Sequence, residues 1–143
     1  MPTITIRTGQ LTAVQRRAIA VRLTRWLAEA GSKAAHVTVC FEESPAGTVF
    51  SGGMPAEALA AGQGALPVAT VLCRISPDRD QQFRHDLARE LVRLLPGGEQ
   101  MPLVYVEFLR AAPADVWIAN HGQLWCADQP EASAGRPEGW PAS

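Results

Sequence analysis

A single strand–helix–strand pattern occurs twice along this chain, and the repeat restricts the fold more than any other feature. At an offset of about 67 residues, Arg7 aligns with Arg74 and Phe41 with Phe108. Each copy alone would leave one apolar face of its strands uncovered, so the two copies are expected to share a sheet. We therefore predict an α+β fold: two tandem β-α-β units that form one four-stranded sheet with both helices on one face.

The first copy begins with Thr-Ile-Thr-Ile-Arg over residues 3–7, which is the period-two pattern of a half-buried strand. Thr12 then offers an N-cap, and Gln15 stands three residues later, as a capping box requires. Gly31 ends the predicted helix, and residues 36–42 are rich in the β-branched and aromatic residues of strands. These signals predict a strand, a helix and a strand in that order.

The second copy follows the same order with different residues. Residues 69–75 predict a strand, Asp78 or Asp80 is suited to cap a helix that continues to Leu94, and residues 103–109 predict another strand. A Pro-Gly-Gly sequence after the helix explains why it stops there.

The length and composition are those of one compact domain, because 47% of the 143 residues are apolar and 19% are charged. We assign the domain to residues 1–125, with repeats at about 2–53 and 66–125. Glycine and proline predict a loop or linker with at most a short helix over residues 44–64. Residues 126–143 bury too little apolar surface to order themselves, so we expect a tail that is disordered or laid along a neighbouring subunit.

Charge and hydropathy exclude two classes of partner. The formal net charge is −1 and the basic residues are spread along the chain, so no basic patch for nucleic acid is predicted. No uncharged apolar stretch is long enough to span a bilayer, and the first residues lack the pattern of a signal peptide. We expect a soluble, cytoplasmic protein that binds neither nucleic acid nor membranes.

Potential metal ligands show no metal-binding pattern. The three cysteines are isolated, without the paired spacing of a zinc or redox motif, and are expected to be buried or bystander thiols. His36, His85 and His121 also lack ligand spacing. The sequence therefore predicts neither a metal ion nor another cofactor.

Two segments carry a resemblance to a known family. Pro2 directly follows Met1 and leads at once into a strand, and residues 41–53 read Phe-Glu-Glu-Ser-Pro-Ala-Gly-Thr-Val-Phe-Ser-Gly-Gly. The chain resembles the tautomerase superfamily over roughly residues 2–125, and the second segment is similar to cis-3-chloroacrylic acid dehalogenases. Residues 114–122 are closer to the terminal segment of malonate semialdehyde decarboxylases. The resemblance implies a catalytic amino-terminal proline and a homotrimer.

The resemblance also implies site residues. Pro2 occupies the place of the catalytic proline, once Met1 is removed, and Arg74 and Arg79 resemble the two arginines that hold the substrate carboxylate in the dehalogenases. Either arginine would otherwise be an ordinary surface charge. Arg7, the counterpart of Arg74 in the first repeat, either faces a neighbouring subunit's site or is a solvated strand-end arginine.

Other catalytic positions of the dehalogenases hold different residues here. Leu27 stands in the place of a histidine, Glu107 in that of a tyrosine, and Asn120 in that of the water-activating glutamate. Glu107 lies in an apolar strand, where its carboxylate would act as a second acid or base or form a salt bridge at a subunit interface. Asn120 and His121 either line the pocket or belong to a turn before Gly122.

These residues suit proton transfer next to a carbonyl group. An apolar pocket or nearby arginines lower the pKa of an amine, so that a neutral Pro2 nitrogen can take a proton from carbon. Arginine pairs bidentately with a carboxylate and stabilises a developing enolate. We predict a cofactor-independent tautomerase that acts on a small anionic 2-oxo acid or its enol. The alternatives are a hydratase or dehalogenase of unsaturated carboxylic acids and a non-catalytic trimeric binding scaffold.

Overall fold

A computed structural model describes residues 1–59 and 67–129 of the chain. Its strands and helices, in chain order, are β1 (Thr3–Thr8), α1 (Ala13–Glu29), β2 (Thr38–Glu43), β3 (Phe50–Ser51), β4 (Met54–Pro55), β5 (Val68–Ile75), α2 (Gln81–Leu94), β6 (Leu103–Arg110), β7 (Trp117–Asn120) and β8 (Gln123–Cys126). The end of the predicted linker, at residues 60–64, and residues 130–143 of the predicted tail lie outside the described residues.

One sheet joins the two repeats in the strand order β2-β1-β5-β6. β1 is parallel to β2 and β5 is parallel to β6, whereas β1 and β5 are antiparallel. In that central pair Thr5 lies opposite Leu72, its own counterpart in the repeat, so an approximate two-fold axis passes between them. The predicted α+β fold with two β-α-β units in one sheet is confirmed.

Both helices cover the same face of this sheet. The residues that are almost completely buried there come from the two central strands and from both helices: Ile4, Ile6, Val71, Cys73, Leu23, Leu27, Leu87 and Leu91. Burying each large apolar side chain contributes about 1.5–3 kcal/mol. The opposite face, here called the helix-free face, is open in the single chain, and the side chains of Tyr105 and Leu109 are exposed on it.

The helix starts follow the predicted caps. The Thr12 side chain accepts from the backbone of Gln15 at 3.1 Å, and the Gln15 side chain accepts from the backbone of Thr12 at 2.9 Å, which is the predicted capping box. The cap of α2 is Asp80 rather than Asp78, and it accepts from the backbone of Phe83 at 2.8 Å. No helix in the described part of the chain is long and apolar enough to cross a membrane.

Two short hairpins were not predicted. β3 and β4 pair around Gly52 and Gly53, whose φ angles of 59° and 80° suit a tight turn, and a short 3-10 helix, Ala56–Leu59, follows. The expected loop with at most a short helix therefore holds a short helix and, in addition, a hairpin that was not expected, because strands of two residues show no periodicity. β7 and β8 form the other hairpin, with its turn at His121 and Gly122.

Candidate functional site

Pro2 lies just before the central strand β1, close to the loop before β2 and to the segment between β5 and α2. Its carbonyl accepts a hydrogen bond from the backbone of Thr38 at 3.1 Å, which holds the first residues against the start of β2. Beside it lies a cavity of about 140 Å³, here called the Pro2 cavity. The residues that line it are Met1, Pro2, Ser32, Lys33, His36, Ile75, Ser76, Arg79 and Phe83.

Arg79 lines the Pro2 cavity and is fixed by contacts on several sides. Its guanidinium donates to the carbonyl of Ala30 at 2.8 Å and to the hydroxyl of Ser32 at 3.0 Å. The same group lies 4.4 Å from the centre of the Phe83 ring, and that ring contacts Trp26 at 5.7 Å between centroids. These contacts hold the charge in one place, as a preorganised anion site requires.

The electrostatic environment favours a neutral amine at this end of the chain. The pKa of the Met1 amino group is lowered from its ordinary value, mainly by partial burial and then by the positive charge of Arg79. Asp78 acts in the opposite direction. A hydrogen bond from the Ser76 side chain, followed by weaker effects that include the charge of Arg79, holds the pKa of Asp78 below its usual range.

Lys33 and His36 are site residues that sequence reasoning missed. Both line the Pro2 cavity, and they lie at the short 3-10 helix, Ala34–His36, between α1 and β2. Among the described residues that line this cavity there is no carboxylate. The available signal was the pairing of β1 with β2, since parallel strands bring the loop before β2 to the start of β1.

Arg74 and Glu107 lie elsewhere. Arg74 is opposite Thr3 in the sheet and its side chain is exposed on the helix-free face, because its neighbour Cys73 is buried beneath the helices. Glu107 is exposed on the same face of β6, opposite Leu72. Pro2 and Arg79 thus line the same cavity. Arg74 and Glu107 are not among the described residues that line the Pro2 cavity.

Two further positions at which the dehalogenases have catalytic residues lie in the core and at a turn. Leu27 is fully buried in the core. Asn120 ends β7, next to the turn at His121, and the predicted turn before Gly122 is therefore present.

A second cavity of about 280 Å³ opens beside the first and is here called the hairpin cavity. It shares Met1, Lys33, His36, Ile75 and Ser76 with the Pro2 cavity. Its remaining wall comes from the segment after β6 and from the β7–β8 hairpin: Ala111, Pro113, Val116, Ile118, Trp125, Ala127 and Gln129.

Comparison with known proteins gives similarity in structure alone. No protein-family model and no curated protein matches the chain at a significant level. Among solved structures, Pt0534 inactivated by 2-oxo-3-pentynoate is 19% identical, with a TM-score of 0.66, and the match covers 84% of this chain and 93% of that chain.

Two further structures extend the match over more of the chain. N1, a member of the cis-3-chloroacrylic acid dehalogenase family, is 18% identical with a TM-score of 0.64, covering 92% of this chain and 95% of that one. An asymmetric trimer of the fused 4-OT protein F6, where 4-OT denotes 4-oxalocrotonate tautomerase, is 18% identical with a TM-score of 0.63, covering 94% and 99%. The chain therefore has the fold of the tautomerase superfamily, as its resemblance to the cis-3-chloroacrylic acid dehalogenase branch implied.

Proposed function

We propose that this chain is a cofactor-independent tautomerase in which Pro2, exposed by removal of Met1, is the general base. The observation that carries the proposal is the shared cavity of Pro2 and the basic side chains of Lys33 and Arg79. A base and an anion-binding group within one small cavity are what proton transfer next to a carbonyl requires.

The amine environment supports a basic role for Pro2. The Met1 amino group next to it has a lowered pKa because of burial and the Arg79 charge. The Pro2 nitrogen lies in the same surroundings, so we expect its pKa to fall for the same two reasons. A neutral secondary amine then takes the proton from the substrate, and the resulting ammonium group returns it at another atom.

Arg79 is the residue proposed to hold the anionic end of a 2-oxo acid or its enol. Its fork is fixed on the carbonyl of Ala30 and the hydroxyl of Ser32, so its position costs little reorganisation when the enolate charge develops. Lys33 adds a second positive charge to the same wall. Arg74 lies on the helix-free face, so it would contact a substrate only at a site on that face, for example one completed by another subunit of a homotrimer.

The dehalogenase alternative needs a group that activates water. Glu107, which was the candidate, is exposed on the helix-free face, and no carboxylate is among the described residues that line the Pro2 cavity. Tautomerisation needs only the base and the cations, so it is the function that the geometry supports best.

The test is the rate of ketonisation of phenylenolpyruvate and 2-hydroxymuconate by protein whose intact mass proves that Met1 is absent. Protein that retains Met1 should lose at least about 100-fold in kcat/KM, the usual contribution of a positioned base, because its Pro2 nitrogen is an amide. Pro2→Ala should also lower kcat/KM, but by a smaller factor, because after removal of Met1 its alanine still presents a primary amine. If the processed wild type and the Pro2→Ala variant are equally inert, the non-catalytic scaffold replaces the enzyme.

A further inference from the structure

The hairpin cavity differs in chemistry from the Pro2 cavity that it adjoins. The basic residues at their border are Lys33 and His36, whereas Arg79 lines the Pro2 cavity and not the hairpin cavity. Beyond that border, the walls of the hairpin cavity are mainly apolar, with Val116, Ile118 and Trp125 among them. The two adjoining cavities therefore have a basic border between them and an apolar wall on the hairpin side.

The pairing of β7 with β8 produces this apolar wall. Ile118 lies directly opposite Trp125, and both are half-buried and line the cavity. Their strand neighbours Trp117 and Leu124 point to the other face of the hairpin and are 60% and 66% exposed. The alternation thus separates two tryptophans of one hairpin, one towards the cavity and one away from it.

Hydrogen bonds hold the hairpin against the segment that precedes it. The backbone of Ala127 donates to the carbonyl of Val116 at 2.8 Å, and the thiol of Cys126, which is buried, donates to the carbonyl of Pro113 at 3.4 Å. The wall is therefore already formed before any ligand binds, as small-molecule sites usually are.

We propose that the hairpin cavity binds the apolar substituent of the substrate, and that this substrate is a 2-oxo monoacid, or its enol, with an aromatic or branched apolar group. The proposal rests on the proposed function, which puts the anionic end beside Pro2 and Arg79. An apolar cavity of about 150 Å³ is enough for benzene, and the hairpin cavity, together with the border that it shares with the Pro2 cavity, has about 280 Å³.

The same geometry selects against a substrate with charge at both ends. A second carboxylate placed against the wall of Ile118 and Trp125 would lose hydration, and these two side chains offer it no charged partner. Short acids would leave the apolar wall in contact with water. Met1 lines both cavities, so its removal enlarges the space that joins them.

The test measures binding by calorimetry with three inert acids: 3-phenylpropanoate, propanoate and the dianion glutarate. We expect processed wild type to bind 3-phenylpropanoate at least about tenfold more tightly than either other acid, and Trp125→Ala to remove roughly tenfold of that affinity. Trp117→Ala is the matched control and should change it by less than about twofold. Val116→Phe, which fills the cavity, should weaken 3-phenylpropanoate and leave propanoate unchanged.

Different results separate this proposal from the proposed function. Equal binding of glutarate and 3-phenylpropanoate, or equal effects of Trp117→Ala and Trp125→Ala, would overturn the apolar subsite even if the protein is an active tautomerase. If neither enol substrate is turned over but the calorimetric pattern holds, the subsite stands and the catalytic proposal fails. In an active enzyme, kcat/KM should be higher for phenylenolpyruvate than for 2-hydroxymuconate.

Discussion

The two ends of the central β1–β5 pair are related by the approximate two-fold axis, and each end has a cleft of similar size. The hairpin cavity near Pro2 has about 280 Å³, and the cleft at the other end, here called the opposite cleft, has about 290 Å³. Residues of the opposite cleft align in the repeat with residues of the hairpin cavity. The aligned pairs are Gly9 with Ser76, Ser44 with Ala111, Ala46 with Pro113 and Val49 with Val116.

Their chemistry differs even though the backbone plan is shared. The opposite cleft is lined by Glu43 and Glu57, and Glu57 already accepts from the backbone of Gly47 at 2.8 Å. The hairpin cavity has Lys33 and His36 in its lining. The repeated fold therefore supplies two clefts, whereas a few polar side chains decide what each can bind.

The two ends also differ in the residues at the starts of their strands and helices. The counterpart of Pro2 is Ala69, which lies inside the chain and has an amide nitrogen that cannot act as a base. The residues just before the two helix caps also differ, since Leu11 is buried whereas Arg79 lines the Pro2 cavity. Both the proposed base and its proposed anion-binding partner therefore belong to one end.

Replacing Arg79 should have the largest effect on the chemistry that distinguishes the Pro2 end from the other end. Arg79→Ala is expected to lower kcat/KM by about 10- to 100-fold, because a hydrogen bond to a charged group contributes about 1.5–3 kcal/mol. The charge of Arg79 lowers the pKa of the amino group at this end, so its loss should raise that pKa and move the acid limb of kcat/KM to higher pH.

A pH–rate profile of Arg79→Ala beside Arg89→Ala checks this prediction. Arg89 is exposed on α2, so its replacement removes the same charge without touching the cavity. An Arg79→Ala profile that coincides with that of the control would remove Arg79 from the proposed site.

A smaller effect is expected from Cys73, whose counterpart in the first repeat is Ile6. Burial raises the pKa of the Cys73 thiol from 9.0 to about 12. Its contribution to stability is complete below pH 9 and is lost as the pH rises towards 12, because the unfolded chain ionises first. The slope is about 1.4 kcal/mol per pH unit.

Urea unfolding at pH 8 and pH 10 measures this dependence. The free energy of unfolding of wild type should fall by about 1–2 kcal/mol more than that of Cys73→Val over this interval. Cys40→Val is the control, since the Cys40 side chain is exposed and should leave the alkaline loss unchanged. Equal losses in wild type and Cys73→Val would show that burial does not raise the pKa of the Cys73 thiol.

The smallest effect concerns Arg7 and Arg74, which are counterparts in the repeat and both lie on the helix-free face. Arg7 donates to Glu42 at 2.6 and 2.9 Å, whereas the sheet neighbour of Arg74 is Leu109. Arg7→Ala should lower the free energy of unfolding by up to about 1 kcal/mol, the range for an exposed salt bridge, and Arg74→Ala should leave it unchanged. Urea titrations at equal protein concentration and low salt measure both free energies of unfolding. A larger decrease for Arg74→Ala than for Arg7→Ala would contradict this prediction.

Local sequence signals predicted most of the sheet and both helices. The alternation in β1 and the capping box of Thr12 and Gln15 depend on neighbouring residues, so one sequence suffices to identify them. The hairpins were missed because strands of two to four residues are too short for a period to appear.

The site was predictable only in part, because its residues meet through the fold. Pro2 and Arg79 came from the resemblance, whereas Lys33 and His36 reach the same cavity only because β2 lies beside β1. The location of Arg74 on the opposite face follows from strand alternation next to Cys73 and was available from the sequence.

The contact between Arg79 and the end of α1 has a further consequence. Arg79 belongs to the second repeat, but its guanidinium donates to Ala30 and Ser32, which belong to the first. Pro2 and Ser76, which line the same cavity, are divided between the repeats in the same way. If the two halves were produced as separate polypeptides, neither would contain the site, and its assembly would depend on their concentration. Covalent linkage makes that assembly intramolecular.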